Sequence, residues 1–145
     1  ADAEIVYPHL YHGLDSHLKL VRHDLVTRIQ SRNYSGHIFG YTAPAKTTTL
    51  LNYCGLTAAD IPFIVDDSPL KQGKYIPGTG IPIMPFSYLR DRPAEVEVAL
   101  IGAWNIADEL ISKLSGVCEQ ALIPFPTPHL IPIPQPSPAP PRPKP

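Results

Sequence analysis

The chain has 145 residues, of which 43% are hydrophobic and 17% charged, with a formal net charge of −1. This length suits one ordinary core and is too short for two enzymatic domains, and the interspersed charges exclude the basic surface on which nucleic-acid binding depends. Two cysteines without paired Cys or His spacing argue against a disulfide scaffold or structural zinc, and no apolar run approaches the about 20 residues of a membrane span.

The first half of the chain predicts alternating helices and strands. We expect an extended segment over residues 1–13, and then an amphipathic helix over 14–29, where apolar residues recur every three or four positions and Asp15 and Ser16 are available as caps. The next predicted elements are a strand over 37–41, a helix over 45–53 and a strand over 63–65. Glycines and prolines punctuate 68–80, which predicts a long functional loop.

The second half continues the alternation. The predicted elements are a brief third strand around residues 81–83, a short helix over 85–92, a strand over 96–101, a helix over 105–114 and a strand over 121–125. Because strands alternate with helices, we predict an α/β fold of Rossmann-like, doubly wound type, with about five mostly parallel strands in one domain over 14–125.

The composition changes after Phe125, where prolines recur every few residues to the end. No run in 126–145 is expected to form helix or sheet, so this segment predicts an extended polyproline II tail. Such a tail fits a partner surface, and its candidate contact residues are Pro126, Pro132, Pro138, Pro141 and Arg142.

The turn over 40–47 nearly fits a phosphate-binding glycine loop that ends in Lys46-Thr47. The fit fails because Ala45 replaces the second glycine and Pro44 removes an amide donor. A nucleotide triphosphatase is therefore not expected.

Several segments carry a family resemblance. Residues 40–46 (GYTAPAK) with 49–55 (TLLNYCG) resemble the signature of the C-terminal domain of the C-methyltransferases that alkylate nucleotide-linked sugars, and segments 65–75, 77–83 and 103–109 agree with it. The resemblance spans about residues 14–126. It departs from the usual family pattern where glycine is replaced by Thr42 and Thr47, and where histidine is replaced by Gly80.

The resemblance implies that different domains of the full enzyme carry out different functions. Enzymes of this family combine a zinc-binding N-terminal domain, a middle domain that holds S-adenosylmethionine and the catalytic base, and a Rossmann-like domain that helps to bind the nucleotide-sugar. This chain resembles only the third of these domains. We therefore expect no methyl transfer by the chain alone and no cofactor, with S-adenosylmethionine present only if a separate domain or chain supplies it.

Candidate ligand-binding residues follow the predicted strands and occupy the long loop. Lys46 either meets a diphosphate or is solvated, and Asp66 either holds a ribose hydroxyl or caps a turn. The loop residues Lys71, Lys74 and Tyr75 line either an anionic ligand or a protein contact. Trp104 and Asn105 follow the fourth strand, where core packing and helix capping are the favoured interpretations. The complete candidate set is Gly40, Tyr41, Ala43, Pro44, Lys46, Asp66, Lys71, Lys74, Tyr75, Trp104 and Asn105.

Other reactive residue types give no site. The histidines in the first 23 residues lack a metal-binding spacing, so no metal site is expected, and both cysteines are expected to be small buried residues.

Three function hypotheses remain open. The first is a non-catalytic accessory subunit of a larger assembly, held by other protein subunits through its N-terminal segment and tail. The second is the nucleotide-sugar-binding half of a split methyltransferase, and the third is a proline-rich ligand for a recognition module. We expect an intracellular protein, cytoplasmic or, if Ala1 follows a cleaved targeting peptide, mitochondrial.

Overall fold

The structure is a computed structural model that describes residues 8–31, 38–43, 45–91 and 97–135. The α-helices in these ranges are α1 (Pro8–Gln30), α2 (Ala45–Cys54) and α3 (Ala107–Lys113), and short 3₁₀ helices cover Phe86–Asp91 and Trp104–Ile106. The strands are β1 (Ile38–Tyr41), β2 (Ile64–Val65), β3 (Ile83–Met84), β4 (Val98–Ile101), β5 (Gln120–Ile123) and β6 (His129–Pro132).

The strands form one sheet in the order β3-β2-β1-β4-β5-β6. The first five are parallel, and β6 runs antiparallel to β5. The chain is thus a mixed α/β protein with a mostly parallel sheet, as predicted, and its parallel strands follow the order found in dinucleotide-binding folds.

Successive strand residues point to opposite faces, and this alternation divides the core into two layers. Phe39 and Ala99 belong to the layer that also contains Leu110 of α3. Ile38 and Val98, one position earlier in their strands, belong to the layer that contains Leu25 of α1 and Leu51 of α2. Both faces of the sheet are therefore covered by helices, which explains the continuous apolar runs in β1 and β4.

Helix α1 begins earlier than the sequence predicts. Residues 8–13 were expected to be extended, yet α1 starts at Pro8, so Asp15 and Ser16 lie inside the helix and cannot cap its start. Proline is favoured in a first turn, where its missing N–H would have had no partner. The buried stripe of α1 consists of Val21, Leu25 and Ile29, which follows the predicted periodicity.

The prediction that no strand forms after Phe125 is wrong, because β6 lies within the proline-rich segment. Ile133 donates its N–H to the Glu119 carbonyl at 2.8 Å, and Pro132 pairs across from Gln120. In this segment the odd-numbered residues therefore direct their N–H groups toward β5, and the even-numbered residues direct their backbone nitrogen away from it. The prolines at 128, 132 and 134 all occupy even positions. Proline is compatible with such an edge strand, because it only removes donors that would have faced outward.

No helix within the described ranges is long and apolar enough to cross a membrane.

Candidate functional site

The carboxyl ends of β1 and β4 meet at the centre of the sheet. These strands are neighbours in register, with Tyr41 opposite Ile101, and the Gly102 N–H donates to the Tyr41 carbonyl at 2.9 Å. Strand order reverses here, because β2 and β3 lie on one side and β5 on the other. Open α/β sheets bind ligands in the crevice at this kind of switch point.

Two threonine hydroxyls are buried at this point without a partner. Thr42 follows β1 at a φ of +70°, and Thr47 lies in the first turn of α2 with 2% of its surface exposed. Neither Oγ1 atom finds a hydrogen-bond partner among the described residues. A Cβ on Gly102 would lie 2.4 Å from both the Thr47 Oγ1 and the Thr42 carbonyl oxygen, so only glycine fits between these threonines.

Sequence reasoning did not include Thr42 and Thr47 among the candidate residues. Their burial depends on the register of β1 against β4, which no local pattern reveals. The signal that the sequence did carry was the departure from glycine at both positions. At position 42 the structure explains the family preference, because φ is in the left-handed region that favours glycine.

Lys46, Trp104 and Asn105 are brought together from α2 and from the segment after β4. The Lys46 ammonium donates a hydrogen bond to Asn105 Oδ1 and lies 4.9 Å from the centre of the Trp104 ring, a cation–π distance. Helix capping was the favoured role of Asn105, but Asn105 caps neither helix, because the N-cap residues are Ala103 for the 3₁₀ helix Trp104–Ile106 and Ile106 for α3. Trp104 is half-buried and packs against Phe125, with ring centres 5.6 Å apart.

Asp66 and Lys71 form a clamp on the backbone after β1. Asp66 is 7% exposed and accepts hydrogen bonds from the N–H groups of Ala43 (2.7 Å) and Ser68 (2.8 Å). The Lys71 ammonium lies 3.9 Å from Asp66 Oδ2 and donates to the Ala43 carbonyl at 3.1 Å. Of the two interpretations of Asp66, these contacts favour the structural one, because both carboxylate oxygens already bind backbone N–H groups.

Gly40 and Tyr41 are part of the sheet interior. A Cβ on Gly40 would come within 2.5 Å of Ile64 Cγ1, so this glycine permits the close packing of Ile64 on β1. Tyr41 is 1% exposed, and burial, reinforced by Asp67 and Asp66, raises the pKa of its hydroxyl to about 12.

Lys74 and Tyr75 lie away from the crevice. The chain passes from Lys71, at the carboxyl edge, along the outer side of β3, where Tyr75 bridges Pro82 and the Ile83 N–H donates to the Lys74 carbonyl. Both side chains are exposed. Of the remaining candidates, Pro126 and Pro132 are exposed, whereas Pro44, Pro138, Pro141 and Arg142 lie outside the described residues.

An apolar groove of about 340 Å³ opens between α1 and α2, and we name it the α1–α2 groove. Leu18 of α1, Leu50 and Tyr53 of α2, and the rings of Trp104 and Phe125 form its walls, and Lys46 and Thr49 complete its lining. His17 donates its Nε2–H to the Pro126 carbonyl at 2.7 Å, which ties α1 to the loop after β5.

Neither cysteine is placed for chemistry. Burial raises the pKa of the Cys54 thiol to about 11 and that of Cys118 to about 12, so both stay protonated at neutral pH. Within the described ranges, no cluster of three or more His, Cys, Asp or Glu side chains is placed to hold a metal ion.

Comparison with known proteins gives two findings. A family model described as the C-methyltransferase C-terminal domain matches residues 1–128. C-methyltransferase NovU of Streptomyces niveus is 37% identical over 97 residues, which make up 65% of this chain and 23% of NovU. The chain therefore matches about a quarter of the length of this relative.

Proposed function

Because this chain belongs to the C-methyltransferase C-terminal domain family, we propose that it is the acceptor-binding part of a methyltransferase that uses S-adenosylmethionine. In this role the crevice between β1 and β4 holds the diphosphate of a nucleotide-linked sugar. A separate domain or chain supplies the methyl donor. This assignment joins the family membership to the arrangement of side chains at the carboxyl edge of the sheet.

The start of α2 has the properties of an anion site. The first N–H groups of a helix have no partner within the helix and carry partial positive charge. Lys46 adds a full charge in the same turn, and Asn105 holds its ammonium at this edge. Helix N-termini at strand–helix turns bind phosphate in many α/β proteins for these reasons.

The observation that carries the proposal is the buried Thr47 hydroxyl without a partner, in the first turn of α2. A buried hydroxyl without a hydrogen bond costs about 1–3 kcal/mol, so such groups are rare unless something else satisfies them. Because Thr47 Oγ1 is fully buried in this structure, a phosphate oxygen at the start of α2 would supply the missing acceptor after the Thr47 side chain rotates toward it.

The burial and contacts of Asp66 argue against a site for S-adenosylmethionine in this domain. A nucleoside held at the end of β2 would need a carboxylate for its ribose hydroxyls, and Asp66 stands at that position. Each oxygen of Asp66 already accepts one backbone N–H, from Ala43 or from Ser68, and the residue is only 7% exposed, which leaves little room for a ribose. We therefore place the methyl donor outside this domain.

The same contacts limit the chemistry to binding and orientation. Lys46 and the α2 N–H groups are suited to neutralise a diphosphate, and the Asp66–Lys71 clamp keeps the backbone after β1 in place beneath it. Because Asp66 and Lys71 are engaged with the backbone and each other, neither is poised to remove a proton from the acceptor. The sugar would extend from the edge toward the domain that carries the methyl donor.

Titration calorimetry with a nucleoside diphosphate sugar tests the proposal. We expect a dissociation constant in the micromolar range, and a weakening of about tenfold in Lys46→Met, which corresponds to about 1.4 kcal/mol. Lys113→Met is the matched control, because it removes an exposed lysine from the last turn of α3. No heat with the unaltered chain, or equal weakening in both variants, would contradict the proposed site.

A further inference from the structure

The α1–α2 groove extends beyond the crevice, and its length and volume are not needed to bind the diphosphate of a nucleotide-linked sugar. It runs beside α2 from Lys46 in the first turn to Tyr53 in the last, a distance of about 10 Å. Its volume of about 340 Å³ falls within the range of small-molecule sites, which begins at about 300 Å³. The groove is therefore large enough for a fused ring system.

The lining of the groove suits an apolar body. Apart from Lys46, the Tyr53 hydroxyl and the Trp104 indole N–H, the polar side-chain group of the lining residues is the Thr49 hydroxyl, and that hydroxyl already donates to the Ala45 carbonyl at 3.2 Å. The hydroxyls of a sugar ring would lose water here without gaining partners, which costs about 1–3 kcal/mol for each unpaired group. A flat apolar ring would instead gain contact with Trp104 and Phe125.

Among the described residues, the charged side chains that contact the aromatic rings of the groove are positive. The Lys46 ammonium lies over the Trp104 ring, and the Arg22 guanidinium lies 4.9 Å from the centre of the Tyr53 ring. The partner of Lys46 is a neutral amide, and no carboxylate of the described residues forms an ion pair with it. No acidic side chain of the described residues lines the groove either.

We propose that the α1–α2 groove is a binding site for an aromatic anion, that is, a flat ring system that carries a phosphate or carboxylate group. The ring lies between Trp104, Phe125 and Tyr53, and the negative group meets Lys46. This inference goes beyond the proposed function and shares only Lys46 with it, because the groove would bind such a ligand whether or not the chain takes part in methyl transfer.

The chain provides its own reporter for the test, because Trp104 is its single tryptophan. A ¹⁵N-labelled sample therefore gives one indole N–H signal. We expect 2-naphthyl phosphate to shift this signal in a saturable way. Its affinity should exceed that of 2-naphthol by about tenfold, since the two probes differ by the negative group alone.

Variants separate the contributions of charge and ring contact. We expect Lys46→Met to lower the affinity for 2-naphthyl phosphate by about tenfold and to leave 2-naphthol unaffected, whereas Tyr53→Ala should weaken both by about fivefold. Tyr75→Ala is the control, because Tyr75 is 65% exposed on the outer side of β3 and should change neither affinity.

Three outcomes would overturn the inference. These are an indole signal that does not move at millimolar probe, affinities that Lys46→Met and Tyr53→Ala leave unchanged, and a signal that shifts with protein concentration alone, which would show a second copy in the groove. Failure of the proposed function gives a different result: a nucleoside diphosphate sugar then produces no heat, while 2-naphthyl phosphate still binds.

Discussion

The conformation of Thr42 makes a quantitative prediction about stability. A left-handed φ costs a residue with a Cβ about 1–2 kcal/mol, and a buried hydroxyl without a partner costs about 1–3 kcal/mol. Replacing Thr42 with glycine removes both penalties. It also loses about 0.5–1 kcal/mol through the greater freedom of the unfolded chain and about 0.8 kcal/mol of methyl burial.

We therefore expect Thr42→Gly to raise the free energy of unfolding by about 2 kcal/mol, which for this chain length raises Tm by about 7 °C. Urea denaturation monitored by circular dichroism measures the change. Thr42→Val separates the two effects, because it removes the hydroxyl but keeps a β-branched side chain at the same φ, and it should recover less than the glycine variant. A Thr42→Gly protein less stable than the parent would refute the argument from backbone strain.

Further predictions concern the clamp, the edge strand and the thiols. Asp66→Ala should lower the free energy of unfolding by about 2–3 kcal/mol, because it leaves two N–H groups without an acceptor; an unchanged urea midpoint would contradict the clamp. Pro132→Val should promote self-association in sedimentation velocity, because it restores an outward N–H on β6, and a strictly monomeric variant would count against this reading of the edge. The pKa values of Cys54 and Cys118 rise from 9.0 to about 11 and about 12 on folding, so above pH 9 the unfolded chain loses these protons first. Stability should then fall by about 1–3 kcal/mol from pH 8 to pH 10 in urea titrations, and a flat profile would contradict the burial of the thiols.

The sequence predicted the parallel sheet well, because β1 and β4 are continuous apolar runs followed by turn residues. It failed for β6, because proline was treated as incompatible with any strand. The alternation of prolines with other residues over 126–136 was the missed signal: a period of two matches an edge strand, where every second N–H faces outward. The early start of α1 was missed because the apolar stripe was traced only from Leu14.

The candidate site was predicted in part. Lys46 and Asn105 were both named, but their contact joins positions 59 residues apart, and such pairing follows from strand order alone. Asp66 was placed correctly at the end of β2. Its hydrogen bond from the Ala43 N–H could not be predicted, because it depends on the path of the neighbouring loop. Binding of other protein subunits through the N-terminal segment and tail stays a prediction, and identifying the chains that co-purify with this one would test it.

The central claim is that this domain binds the acceptor for methyl transfer, and a domain exchange tests it most directly. The matched 97 residues of this chain would replace the corresponding segment of NovU, and methyl transfer to the acceptor of NovU would be measured with and without Lys46→Met. We predict that the chimera transfers methyl groups and that the Lys46→Met chimera needs about ten times more acceptor for the same rate. A folded chimera that transfers no methyl group, under conditions in which unaltered NovU does, would contradict the account.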